Sequence, residues 1–140
     1  MNEPLTDELL DELRAAPDPV SFANKHHITE RSLREYLLQL LDEKNLRQAD
    51  VINAIDVSYT YGYHIFTGKR ENVSRDIVLQ IAFAMKCTLQ EANRLLQASG
   101  NNELYCKNRR DAIIIFCLDK GYTLQHADEE LYRFGEDTIC

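Results

Sequence analysis

Apolar positions in this chain recur at three- and four-residue spacing almost from end to end, and no stretch alternates as a half-buried strand would. Glu3 to Ala16 places Leu5, Leu9, Leu10 and Leu13 on one helical face and is broken by Pro17-Asp18-Pro19. Asp18 as N-cap, with Pro19 at the first helical position, opens a short second helix through roughly His26. Ser32-Leu33-Arg34-Glu35 has the spacing of a capping box and leads into a core stripe of Leu33, Tyr36, Leu37, Leu40 and Leu41. With few glycines and three prolines, the pattern predicts an all-α fold.

The next segment, Leu46 to Arg75, predicts two short helices around a tight turn. Gln48 opens a run whose Val51, Ile52 and Ile55 share a face. Asp56 and Val57 make the turn, and Ser58 is an N-cap for a helix from Tyr59 to Thr67. Gly68 suits the left-handed residue past that helix, and Lys69 and Arg70 add positive charge just beyond it. Ser74 caps a helix expected over Arg75–Lys86, and Thr88-Leu89-Gln90-Glu91 is a second capping box before a helix that stops at Gly100.

This ordered set resembles the lambda-repressor-like, or XRE-type, helix-turn-helix family. The matching residues are Leu46, Gln48, Val51, Val57, Ser58, Ile65, Gly68, Lys69 and Arg70. Ile77, Val78, Leu79, Ile81, Ala82 and Met85 match the family's next core helix. The resemblance covers roughly Ser32 to Gly100, about half of the 140 residues. Departures are Arg47 for the capping Thr, Ile52 for a small Ala, Asp56 for the turn Gly, and Gly62 where an apolar anchor is usual. Glu71-Asn72-Val73 fills the loop where the family has Pro.

The resemblance implies a five-helix repressor-like core at 32–100, with a helical extension at 1–31 and a helical hairpin at 101–140 packed on the core. It also implies sequence-specific binding of double-stranded DNA in transcription regulation, in a bacterium or a phage. In that family the second helix of the pair enters the major groove, usually from a two-fold dimer. Gln48 and Ser58 then lie at the backbone-facing start of each helix. Tyr59, Thr60, Tyr61 and His64 would face bases, and Thr67, Lys69, Arg70 and Arg75 would position phosphates.

A second regularity lies downstream. Arg75-Asp76 recurs as Arg110-Asp111, Thr88-Leu89-Gln90 as Thr123-Leu124-Gln125, and Ala92, Leu96 and Gly100 as Ala127, Leu131 and Gly135. The offset is constant at 35 residues, so the last hairpin of the core reads as duplicated. The apolar run Ala112 to Leu118 is then a buried helix, and the hairpin at 107–135 is a candidate dimer surface.

Charge qualifies the nucleic-acid reading. The net charge is −7, and phosphate neutralisation dominates such affinity. Residues 1–31 carry 3 basic and 7 acidic side chains, residues 32–100 carry 8 of each, and residues 101–140 carry 5 and 8. The acid therefore sits in the flanks. Three tyrosines around Gly62 also suit a protein interface. The open alternative is an adaptor or antitoxin-like regulator that keeps the fold and grips a protein partner.

Other chemistry is not signalled. Cys87, Cys106, Cys117 and Cys140 are scattered without metal spacing, and Cys87 and Cys117 read as buried hydrophobes. His26-His27 reads as a polar helix end, and Asp11-Glu12 and Glu129-Glu130 as solvated helix faces, so no catalytic site, metal or cofactor is expected. No run approaches the ~20 apolar residues that span a bilayer, and no signal peptide opens the chain, so the expected location is cytoplasmic.

Overall fold

The chain divides into two compact units, Met1–Glu30 and Arg31–Cys140. The computed structural model describes residues 32–140 together with Asp11, Arg14 and Ala15. The helices expected over Glu3–Ala16 and from Pro19 to His26 otherwise lie outside the described residues.

The second unit is all-α over its described residues. Its helices are α1 (Leu33–Glu43), α2 (Gln48–Ala54), α3 (Tyr59–Thr67), α4 (Arg75–Ala84), α5 (Leu89–Ala98), α6 (Arg109–Asp119) and α7 (Leu124–Arg133). None of the described helices is long and apolar enough to cross a membrane. Six of the seven start on a side-chain cap. Ser32, Ser58, Ser74, Thr88, Asn108 and Thr123 each accept a hydrogen bond from the backbone N–H three residues on. Each such cap contributes about 1 kcal/mol. At Thr88 the box is complete, with Glu91 Oε1 accepting from the Thr88 N–H at 2.9 Å. α2 differs, because Arg47 stands at its N-cap and makes no side-chain cap bond.

The helix ends follow one device. After α1, α4, α5, α6 and α7 a single left-handed residue lets two consecutive N–H groups reach back to the last turn. Glycine fills that position three times, at Gly100, Gly121 and Gly135, whereas Asn45 and Lys86 adopt it with φ of 54°. Lys86 therefore lies outside α4, which ends two residues before the expected limit.

α1 packs on α3 and α5, and α2 packs on α3 and α4. Hairpin α4–α5 carries the resulting core. Leu37, Ile52, Ile65, Phe66, Leu79, Ile81, Met85, Leu95 and Leu96 are its largest fully buried side chains. Hairpin α6–α7 extends the same apolar cluster through Ile114, Cys117, Leu131 and Ile139, with α7 against α4 and α6 against α5.

The 35-residue repeat appears in space as a reciprocal clasp. Arg75 donates two hydrogen bonds to the Asp111 carboxylate, at 2.9 and 2.8 Å, and two more to the carbonyls of Asn102 and Glu103. Its counterpart Arg110 donates to Asp76 at 3.0 Å and to the carbonyls of Asp137 and Thr138. Each arginine thus holds its own hairpin's trailing segment and the other hairpin's aspartate. Two further bonds match: the Leu104 N–H donates to Asn93, and the Ile139 N–H donates to Asp128. Desolvation pushes the Asp111 carboxyl up, but the Arg75 and Tyr105 hydrogen bonds and the Arg75 and Arg110 charges outweigh it and hold it below its ordinary value.

Candidate functional site

α2, the turn Ile55–Ser58 and α3 form the region that the sequence singles out. α2 faces inward through Val51 and Ile52, and Ile55 is buried at its end. Ser58 Oγ accepts from the Tyr61 N–H at 3.1 Å and so starts α3. The turn is braced from beneath. The Asp56 N–H donates to Gln80 Oε1 at 2.8 Å, and Gln80 Nε2 donates to the Ile139 carbonyl at 3.2 Å. Gln80 is itself buried, so one carboxamide ties the turn before α3 to the trailing segment of the second hairpin.

Rotation along α3 sorts its side chains by about 100° per residue. Gly62, Ile65 and Phe66 are buried on one side, while Tyr59, Thr60, Tyr63 and Thr67 are exposed on the other. Tyr59 and Tyr63 are each 49% exposed. His64 and then Tyr61 are half-buried on the Thr60 side of the exposed arc, and Phe66 and Gly62 close its other side. The Arg70 guanidinium lies over the Tyr61 ring, 5.0 Å from its centroid, and Tyr61 packs against the core. Tyr61 therefore supports the end of α3, while the ring that joins Tyr59 on the open arc is Tyr63. The His64 carbonyl gathers that end, accepting from the Arg70 N–H at 3.0 Å and from Thr67 Oγ1 at 3.3 Å.

Gly62 has a packing reason. A Cβ at this position would stand 2.7 Å from Ile52 Cγ2, closer than real side chains approach. The space that a small residue in the first helix would leave is supplied instead by the second. Ile52 and Gly62 are one compensating pair, and together they keep α2 and α3 in close contact.

The cations divide into two groups. Lys69 and Arg70 are exposed beside Glu71 and Asn72, just past Gly68. Arg34, from the first turn of α1, passes over Gly68 and lines a recess with Ser32, Thr67 and Arg70. Arg75 behaves otherwise. The expectation that it positions a phosphate gives way to its place in the clasp, where Asp111 and two carbonyls take its guanidinium. The hydrogen bond to Asp111 raises the pKa of Arg75 above its ordinary value, against the opposing effect of burial.

The remaining expected residues lie as follows. Gln48, the first residue of α2, is half-buried, and the Ser58 hydroxyl is engaged in its cap. Tyr63 and Arg34 are not among the residues that the sequence marks for DNA contact. The i, i+4 spacing of Tyr59 and Tyr63 was the available signal for the first, and nothing local marks the second. Among the described residues no cluster of His, Cys, Asp and Glu is placed to hold a metal ion. Comparison with family models, with curated proteins and with solved structures finds no match to this chain.

Proposed function

We propose that this chain is a repressor-like regulator that binds double-stranded DNA, with α1–α5 as its helix-turn-helix core and α3 as the helix that enters the major groove. The observation that carries this reading is the open arc of α3: Tyr59, Thr60, Tyr63 and Thr67 are exposed together, with Lys69 and Arg70 exposed at its end. A helix held by its opposite face and flanked by cations has the form that groove entry requires. Gln48, Ser58 and the Lys69–Arg70 edge, joined by Arg34, set register on phosphates; Tyr59, Thr60, Tyr63 and His64 meet base edges. A two-fold dimer on paired half-sites is part of the proposal.

The rival reading is a protein partner gripped by the same tyrosines, and the net charge of −7 favours it. Binding of the full chain to randomised duplex DNA at two salt concentrations separates the two. The expected result is an enriched motif, weaker at higher salt, that disappears when Thr60→Ala and His64→Ala are combined. Absence of binding even at low salt overturns the DNA reading and promotes the partner.

A further inference from the structure

Resting on the DNA reading, we propose that α3 recognises the 5-methyl groups of major-groove pyrimidines, thymine foremost, through Tyr59, Thr60 and Tyr63. The inference starts from what the helix lacks. Its nine residues, YTYGYHIFT, include no Arg, Lys, Asn, Gln, Asp or Glu. Those side chains make the bidentate pairs with guanine and adenine or accept from the cytosine amine. Sequence reading by α3 must therefore use the chemistry that its open arc does present.

That chemistry is two phenol rings, two threonine methyls and four hydroxyls, and of the two methyls Thr60's lies in the first turn. A hydroxyl both donates and accepts, so it hydrogen-bonds either edge of a base pair with little discrimination. Ring edges and the Thr60 methyl discriminate by apolar contact, and the apolar group on the major-groove edge of a base pair is the thymine 5-methyl. Position agrees with chemistry. Tyr59 and Thr60 are the first two residues of α3, the end of a recognition helix that reaches base edges, and Tyr63 lies one turn further on the same arc. His64, tilted against Tyr63 with ring centroids 6.4 Å apart, is the one nitrogen-bearing side chain of the helix and flanks this patch.

The weak electrostatics of the core raise the importance of such contacts. Residues 32–100 carry no net charge, so attraction to phosphates supplies less of the binding than in a basic reader. The same geometry accepts 5-methylcytosine, whose methyl projects from the equivalent ring position.

The test uses the full chain and the duplex it enriches, with each thymine in turn replaced by uracil. Removing a methyl that contacts α3 should weaken binding by about fourfold, the value of one buried methyl-sized group. Thr60→Ser keeps the hydroxyl and deletes the methyl, so this variant should bind the thymine and uracil duplexes equally at one position. Tyr63→Ala should do the same at another. Exchanging one of these T·A pairs for 5-methylcytosine·G should cost less than exchanging it for C·G. Indifference to uracil at every thymine of a bound site overturns the proposal and leaves DNA binding standing. Failure to bind any duplex at low salt overturns the DNA reading, and this inference with it.

Discussion

Hairpins α4–α5 and α6–α7 share their buried inner positions and differ on their outer faces. Leu79 and Ile114, Ala82 and Cys117, Phe83 and Leu118, Ala92 and Ala127, Leu96 and Leu131, and Leu104 and Ile139 are buried in register, 35 positions apart. The outer positions diverge. Ile81, Met85, Leu95 and Ser99 are buried in the first hairpin, where α1 packs on α5 and α2 on α4. Their counterparts are Phe116, Lys120, Glu130 and Phe134, and the two phenylalanines are 51% and 44% exposed. The inner pattern answers to the clasp between the two copies. The outer pattern answers to whether helices α1 and α2 lie on top.

The comparison is tested most severely by truncating equivalent outer residues. Ile81→Ala empties a fully buried site and should cost roughly 3 kcal/mol, whereas Phe116→Ala should change stability by less than about 0.5 kcal/mol. Urea unfolding of both variants measures the difference. Equal losses would show that the second face is covered in solution.

The clasp itself is unequal in a way that its sequence symmetry hides. The Asp111 side chain is 7% exposed and accepts from Arg75 twice and from the Tyr105 N–H. Asp76 is 44% exposed and accepts one bond from Arg110. Asp111→Asn should cost about 2 kcal/mol, because it removes the charge from a buried site that pairs with the half-buried Arg75 guanidinium. Asp76→Asn, at a carboxylate open to water that accepts one bond, should stay within about 0.5 kcal/mol. The pH dependence has a definite sign. Because folding depresses the Asp111 pKa, its stabilisation is complete above the ordinary value of 3.8 and is lost as pH falls through the lower folded value. The stability curves of wild type and Asp111→Asn should converge on acidification, and parallel curves would remove Asp111 from this role.

What the sequence made legible was local or periodic. The caps at Ser32, Ser58, Ser74 and Thr88 lie within three residues of the groups they satisfy, and their helices begin where the spacing predicts. The repeat was legible because its register is constant. Long-range partners were not. Arg75 reads as a surface cation until Asp111, 36 residues away, is brought beside it. Ile52 and Gly62 read as two separate departures, yet in space each explains the other. Tyr61 and Tyr63 are equivalent by residue type, and only the direction of the core decides which of them faces out.

Gln80 marks the position where the first hairpin departs from the second for the sake of the α2–α3 turn. Its counterpart is the half-buried Ile115. Gln80→Ile, which copies the second hairpin into the first, should cost about 1–2 kcal/mol by removing the partners of the Asp56 N–H and the Ile139 carbonyl. Hydrogen exchange at the Asp56 amide should accelerate in the variant. Unchanged exchange there would separate the turn from the trailing segment.

The subtlest test uses the buried thiols as clocks for the two hairpins. Burial, then the Glu91 charge, pushes the Cys87 thiol up to about 12; burial and Glu130 push Cys117 up to about 11. At pH 8 neither offers much thiolate, so each reacts with an alkylating reagent chiefly when its surroundings open, while the exposed Cys106 reacts at once. Cys87 lies at the α4–α5 turn, with Lys44 bonded to the neighbouring Lys86 carbonyl and paired with Glu91. Cys117 lies in α6, in the hairpin whose outer aromatics are exposed. Lacking the cover of α1 and α2, the second hairpin should open more often, and Cys117 should be labelled roughly tenfold faster than Cys87, for about 1.4 kcal/mol less opening free energy. Mass spectrometry of peptides after timed quenching gives both rates. Equal rates would mean that the clasp makes the two hairpins open as one unit, and that the difference between their outer faces does not reach their stability.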